Sequence, residues 1–223
     1  MKPDDLSLLS SRVDEIRQGV IRAGGKNVKL IAVTKSFDVS AMIGAFDAKC
    51  DGVGENYAQE VATKVAQLPV EKRLPVHFIG RLQTNKVKSL INLVDVWQSV
   101  DRAELINEIA KRGASQASNR RPAIMLQVNA TNELDKGGCQ TSEVENLLQL
   151  ALGKDLDVVG LMTVGPTENN PDLTRQVFRT VRKLTDDLGL EQCSMGMTGD
   201  YLVAVGEGAN VIRVGSALFG SRT

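Results

Sequence analysis

The sequence predicts a closed (β/α)8 barrel with one extra helix at its N-terminal end. Three observations carry that expectation. Eight short apolar runs alternate with segments of helical period along the 223 residues. The runs are near-continuous rather than alternating, as in parallel strands covered on both faces. The connections are short, and no Pro-, Gly- or Ser-rich linker divides the chain, so residues 1–223 read as a single domain. An open doubly wound sheet is the alternative architecture.

The elements follow in order. Leu6, Leu9, Val13, Ile16 and Val20 step by three and four, which predicts an amphipathic helix over about 5–22, stopped by Gly24-Gly25. Val28 to Val33 reads as the first buried strand, followed by a helical stretch carrying Ala41, Ile43, Ala45 and Phe46. A weak strand at 51–54 precedes a helix at 57–68. Strands at 75–79 and 94–100 flank a helix at 85–93. Asp101 is a cap-like acid three residues before Glu104. After a polar loop at 112–121, a strand covers 123–128. Ser142 and Glu145 have capping-box spacing ahead of Leu147, Leu148 and Ala151. A strand at 158–164 leads to Asn170-Pro171, a capping residue before a proline suited to the first helical position. That helix carries Val177, Phe178, Val181, Leu184 and Leu188, and Gly189 ends it. A strand at 193–197, a short helix at 200–205 and a strand at 211–214 complete the set.

Composition removes several function classes. Lysine plus arginine balances aspartate plus glutamate at 27 each, which argues against a nucleic-acid surface. Cys50, Cys139 and Cys193 lack close spacing, and the single histidine, His77, cannot complete a zinc site with them. A reduced, cytoplasmic compartment fits this usage. No apolar signal core follows Met1, and no run is long enough to span a membrane.

In a barrel of this kind, chemistry gathers at the carboxyl ends of the strands. Lys35 follows the first strand. A lysine desolvated at an apolar mouth becomes a nucleophile toward carbonyls, although position alone favours a solvated lysine marking the strand end. Arg213 lies within the apolar run Val211 to Val214. Alternation puts Val211, Arg213 and Gly215 on one face, and a buried arginine needs a partner. A negative ligand, a ring nitrogen or a rim salt bridge would each serve. Gly215 allows close backbone approach, and Ser216 adds a hydroxyl. Ser194 to Asp200 precedes the short eighth helix, and loops after the seventh and eighth barrel strands often hold phosphate. His77 is read as a satisfied core residue, and the methionines as core filling.

Five ordered motifs then carry a resemblance. They are Ala32-Val33-Thr34-Lys35, Gly54 to Glu60 (GENYAQE), His77 to Lys86 (HFIGRLQTNK), Ser194 to Asp200 (SMGMTGD) and Arg213 to Gly220 (RVGSALFG). Together, from about Val28 to Arg222, they resemble the pyridoxal phosphate homeostasis protein family. That family is similar in fold to the N-terminal barrel of alanine racemase, fold type III among pyridoxal phosphate proteins. The resemblance implies pyridoxal 5′-phosphate as cofactor, held as a Schiff base on Lys35. It implies that Ser194, Thr198, Gly215 and Ser216 surround the phosphate, that Arg213 faces the pyridine nitrogen, and that Asn56 lies near the ring. It implies a role in vitamin B6 homeostasis without efficient catalysis, with amino acids or cofactor-requiring apo-enzymes as partners.

The sequence departs from the family pattern in places. Val76 stands for a usual tryptophan, Arg81 for a second histidine, Thr198 for serine and Ser216 for threonine. The hydroxyl exchanges keep their donors. The Arg81 exchange means that the role of that histidine is not carried over. Asp135-Lys136-Gly137 replaces a usual serine-lysine pair in a loop, and no clear consequence for the cofactor follows from it.

An amino-acid racemase using Lys35, and a cofactor-free Schiff-base aldolase, are the competing readings. Racemisation needs a base on each face of the α-carbon. The sequence given runs to Thr223, just past the eighth strand, so the second domain that supplies the opposing tyrosine in alanine racemases is expected to be absent. A monomer is the corresponding expectation. Tyr57 and Tyr201 are the only phenols, and neither is expected to replace it.

Overall fold

The computed structural model describes residues 3–115, 121–131, 133, 135–168 and 170–220. Eight parallel strands close into a barrel in sequence order. They are β1 (Lys29–Val33), β2 (Gly52–Glu55), β3 (Val76–Phe78), β4 (Val96–Val100), β5 (Ala123–Val128), β6 (Asp157–Thr163), β7 (Gln192–Ser194) and β8 (Val211–Val214). The last strand pairs with the first, with Ile31 opposite Arg213 and Ala32 opposite Val214. The open-sheet alternative is thereby removed.

Helix α1 (Pro3–Arg22) lies outside the barrel and is followed by α2 (Val39–Asp47), α3 (Ala58–Gln67), α4 (Thr84–Leu90), α5 (Ala103–Gly113), α6 (Val144–Gly153), α7 (Pro171–Asp187), α8 (Tyr201–Gly206) and α9 (Ser216–Phe219). Leu9, Val13, Ile16 and Val20 bury the inner stripe of α1. Arg12 Nη1 ties that helix to the carbonyl of Leu218 in α9 at 2.8 Å.

The caps show where local reading succeeds and where it slips. Asn170 Oδ1 accepts the N–H groups of Asp172 and Leu173 at 3.1 Å each, with Pro171 in the first turn of α7. The expected box at Ser142 and Glu145 lies elsewhere. Gln140 and Glu143 form it, on a 3-10 turn ahead of α6, with the Gln140 N–H donating to Glu143 Oε2 at 2.8 Å. Asp101 does not cap α5, whose N-cap is Arg102. Its carboxylate pairs with Arg102 and accepts from the Gly138 N–H instead. The seventh strand stops at Ser194 rather than running to 197, because Gly196 takes a φ of +92° and turns the chain.

Alternation divides the core in two. Leu30, Ala32, Val53, Cys193, Ile212 and Val214 point outward into the large cluster shared with the helices. Ile31, Met125, Met162 and Val211 form a second, separate cluster inside the lumen. Arg213 therefore shares the lumen face with Val211, as the strand period requires.

Candidate functional site

The lumen beyond the apolar cluster is polar. Arg213 is 3% exposed. Its Nη1 donates to Ser194 Oγ at 2.6 Å and its Nη2 to the Thr163 carbonyl at 2.7 Å. The rim salt bridge is not what holds it, since no carboxylate pairs with it among the described residues. Burial lowers its pKa to about 10, which still leaves it charged at neutral pH. Ser194 Oγ donates onward to Gln98 Oε1 at 2.7 Å, and Gln98 Nε2 meets His77 Nδ1 at 2.7 Å. Burial pushes the His77 pKa down to about 4. His77 is thus a neutral core histidine at the end of a four-residue polar chain. Ser194 already donates once and accepts once, so its hydroxyl supports Arg213 directly.

Lys35 is half-buried in the turn after β1. Continuing the alternation of Ile31 and Val33 places it on the lumen parity. Beside it on the β1–β8 seam stands Gly215, where an added Cβ would come within 3.3 Å of Val33 Cβ. The exposed Ser216 opens α9, whose Ala217 N–H donates to Thr198 Oγ1 at 3.3 Å. Thr198 and Ser216 are so brought together from the β7–α8 loop and the end of β8. The turn before α8 is less open to an anion than expected, since Asp200 Oδ1 already accepts the Met197 N–H at 2.6 Å. The hydroxyls of Thr198 and Ser216 stand beside that turn, with Thr198 Oγ1 accepting from the Ala217 N–H.

Asn56 follows β2 on the lumen parity. Its Oδ1 is buried and has no hydrogen-bond partner, an acceptor that a ligand hydroxyl or N–H would satisfy. It borders a cavity of about 1030 Å³ lined also by Tyr57, Arg81, Lys86, Arg102 and Lys136. This cavity opens on the β2–β5 side of the mouth and includes none of the candidates from β1, β7 or β8. The site residues thus fall into three groups around one rim, with Lys35, Gly215, Ser216 and Thr198 on one side, Asn56 on another, and Arg213 with Ser194 below. Gln98, and the part played by the Thr163 carbonyl, escaped sequence reading. Glutamine amid Val-Trp-Gln-Ser-Val was the available signal for the first. A backbone carbonyl gives no signal at all.

The alanine racemase N-terminal domain family matches residues 5–223. A relative from Aquifex aeolicus, named pyridoxal phosphate homeostasis protein, is 37% identical over 223 residues, 96% of each chain. One of the same name from Schizosaccharomyces pombe is 37% identical, covering 97% of this chain and 94% of its own. This chain belongs to the pyridoxal phosphate homeostasis protein family.

The structure of PipY from Synechococcus elongatus with PLP bound matches with a TM-score of 0.81 at 30% identity, over 95% of this chain and all of that one. An alanine racemase from Clostridium difficile matches with a TM-score of 0.76 at 14% identity, and this chain spans 57% of it. That likeness is one of fold. Arg81 is an exposed cation on the cavity wall, and Asp135, Lys136 and Gly137 line the same cavity. Lys136 Nζ there pairs with Glu133 at 2.8 Å. Tyr57, placed at the N-cap of α3, also lines the cavity, whereas Tyr201 packs toward Gly19 of α1.

Proposed function

We propose that this protein holds pyridoxal 5′-phosphate for intracellular vitamin B6 homeostasis, linked as a Schiff base to Lys35. The observation that carries the reading is that Lys35, Asn56, Arg213 and Gly215 share the lumen parity, with Arg213 buried below the mouth. With pyridoxal 5′-phosphate bound, its aldehyde would supply the electrophile and the neutral Lys35 amine would be the nucleophile of that linkage. Thr198, Ser216 and the close backbone at Gly215 would hold the phosphate. Arg213, held by Ser194, would face the ring nitrogen, and Asn56 Oδ1 would be free to accept a hydrogen bond from the cofactor.

The protein acts as a holder and not an efficient enzyme. A permanently charged guanidinium opposite the ring nitrogen opposes its protonation, which weakens the electron sink that carbanion chemistry needs. The open mouth suits exchange of cofactor with water, amino acids and apo-enzymes. A monomer in the cytoplasm fits this role. Three buried thiols, none in a disulfide, support a reduced compartment, and no helix among the described residues is long and apolar enough to cross a membrane.

Two measurements test the proposal. The purified protein should be yellow, and an added amine should shift its visible spectrum as it displaces Lys35. Cofactor-loaded protein should not exchange the α-proton of L- or D-alanine in heavy water at an enzymatic rate. Turnover of about 1–1000 per second would replace the holder with a racemase, with Tyr57, which lines the cavity beside Asn56, as the phenol to test.

A further inference from the structure

We infer that Glu55, Glu60 and Lys64 are positioning residues that fix the turn presenting Lys35. The inference rests on Lys35 being the point of attachment proposed above. The turn is closed by the Phe37 N–H donating to the Thr34 carbonyl at 3.1 Å, with Lys35 and Ser36 as its central residues. Ser36 has a φ of +66°, a left-handed conformation that a residue other than glycine keeps only when its surroundings enforce it.

Those surroundings are three ionisable side chains from β2 and α3. Thr34 Oγ1 donates to Glu55 Oε1 at 2.6 Å. The Thr34 carbonyl accepts from Lys64 Nζ at 2.9 Å. The Ser36 N–H donates to Glu60 Oε2 at 2.8 Å. Lys64 unites the set, donating also to Glu55 Oε1 at 2.8 Å and Glu60 Oε2 at 2.7 Å. Both neighbours of Lys35 are therefore clamped, and every donor of the Lys64 ammonium is spent on the clamp.

The burial makes a purely cohesive role a poor explanation. Glu55 is fully buried and Lys64 is 5% exposed. Apolar residues of similar volume commonly hold a helix to a strand as well as a buried ion pair does. What they cannot do is accept the Ser36 N–H or hold the Thr34 hydroxyl and carbonyl in one orientation. Burial pushes the Glu55 carboxyl upward against the pull of Lys64 and Thr34. Burial acts the same way on Glu60, but Lys64 and the Ser36 N–H hold it below its usual range. The second oxygen of Glu55 has no hydrogen-bond partner, so one oxygen carries both bonds. A nucleophile gains from such a mount because a displacement of about 1 Å can cost a hundredfold in rate.

The test separates attachment from binding. Protein stripped of cofactor is mixed with pyridoxal 5′-phosphate, and the Lys35 linkage is followed by visible absorbance. Equilibrium dialysis with pyridoxine 5′-phosphate, which has the ring and phosphate but no aldehyde, reads the cradle alone. Glu60→Ala should slow linkage about ten- to a hundredfold and leave pyridoxine 5′-phosphate binding unchanged. Glu60→Gln, which keeps an oxygen for the Ser36 N–H, should recover much of the rate. Linkage at the unaltered rate in Glu60→Ala, or equal loss of linkage and of pyridoxine 5′-phosphate binding, would overturn the inference while leaving the cofactor-holding role intact. Failure of the unaltered chain to link the cofactor at all would remove both together.

Discussion

Val211 and Arg213 stand two residues apart on one strand and face the same lumen, yet they belong to different regions. Val211 joins Ile31, Met125 and Met162 in a dry cluster. Arg213 heads a hydrogen-bonded chain through Ser194 and Gln98 to His77. The first region holds the barrel by burial and dispersion and has no polar atom to offer a ligand. The second withdraws a charge from water and retains unused N–H donors. A barrel built for stability alone would extend the first pattern through the whole lumen. The difference teaches where this fold gives up apolar packing in its lumen, and that is the level at which the proposed site begins.

Substitutions can break that comparison. The largest expected effect is on stability. Met125→Ala removes a fully buried side chain and should destabilise by about 2–5 kcal/mol while leaving cofactor affinity per folded molecule unchanged. A matching loss of affinity, measured by cofactor titration below the unfolding transition, would show that the two regions are not independent.

The second effect depends on pH. His77 has a folded pKa of about 4 against 6.5 unfolded. It is neutral in both states above 6.5, so its contribution is intact there. Between 6.5 and 4 only the unfolded chain takes up the proton, and stability falls as pH drops through that window, by roughly 3 kcal/mol in all. Urea melts of the native chain and of His77→Gln across pH 7 to 4 would isolate this slope, because there is no other histidine in the chain. An identical pH slope in both would assign the loss to the carboxylates.

The smallest effect concerns the phosphate side. Ser216→Ala removes one charge-assisted bond, about 1.5–3 kcal/mol, and should weaken cofactor retention about ten- to a hundredfold with little change in melting. Unchanged retention in both Ser216→Ala and Thr198→Ala would place the phosphate elsewhere.

Much of this was legible in the sequence, and what was not has physical reasons. The strands announce themselves because a parallel sheet covered by helices buries both faces of each one, leaving near-continuous apolar runs. Arg213 announces itself by interrupting such a run. The chain that supports it does not, because Ser194 was legible only as a phosphate candidate, and it lies 96 residues from Gln98 in sequence and meets it only when the barrel closes. The capping box slipped because Gln140 and Ser142 both begin a plausible cap spacing, and only the chain's path through the 3-10 turn chooses between them. The clamp around Lys35 stayed hidden for a related reason. Glu60 and Lys64 have the spacing of an ordinary surface pair on a helix, and nothing local says that this pair is turned inward onto Thr34 and Ser36.

The central claim is that Lys35 is the attachment point. Borohydride reduction of the cofactor-loaded protein, followed by peptide mapping, tests it most directly, since reduction makes the linkage permanent on whichever amine holds it. The account predicts the label on Lys35 and its loss in Lys35→Ala, with phosphate-held cofactor retained weakly. A label on Lys86 or Lys136 of the neighbouring cavity would contradict it.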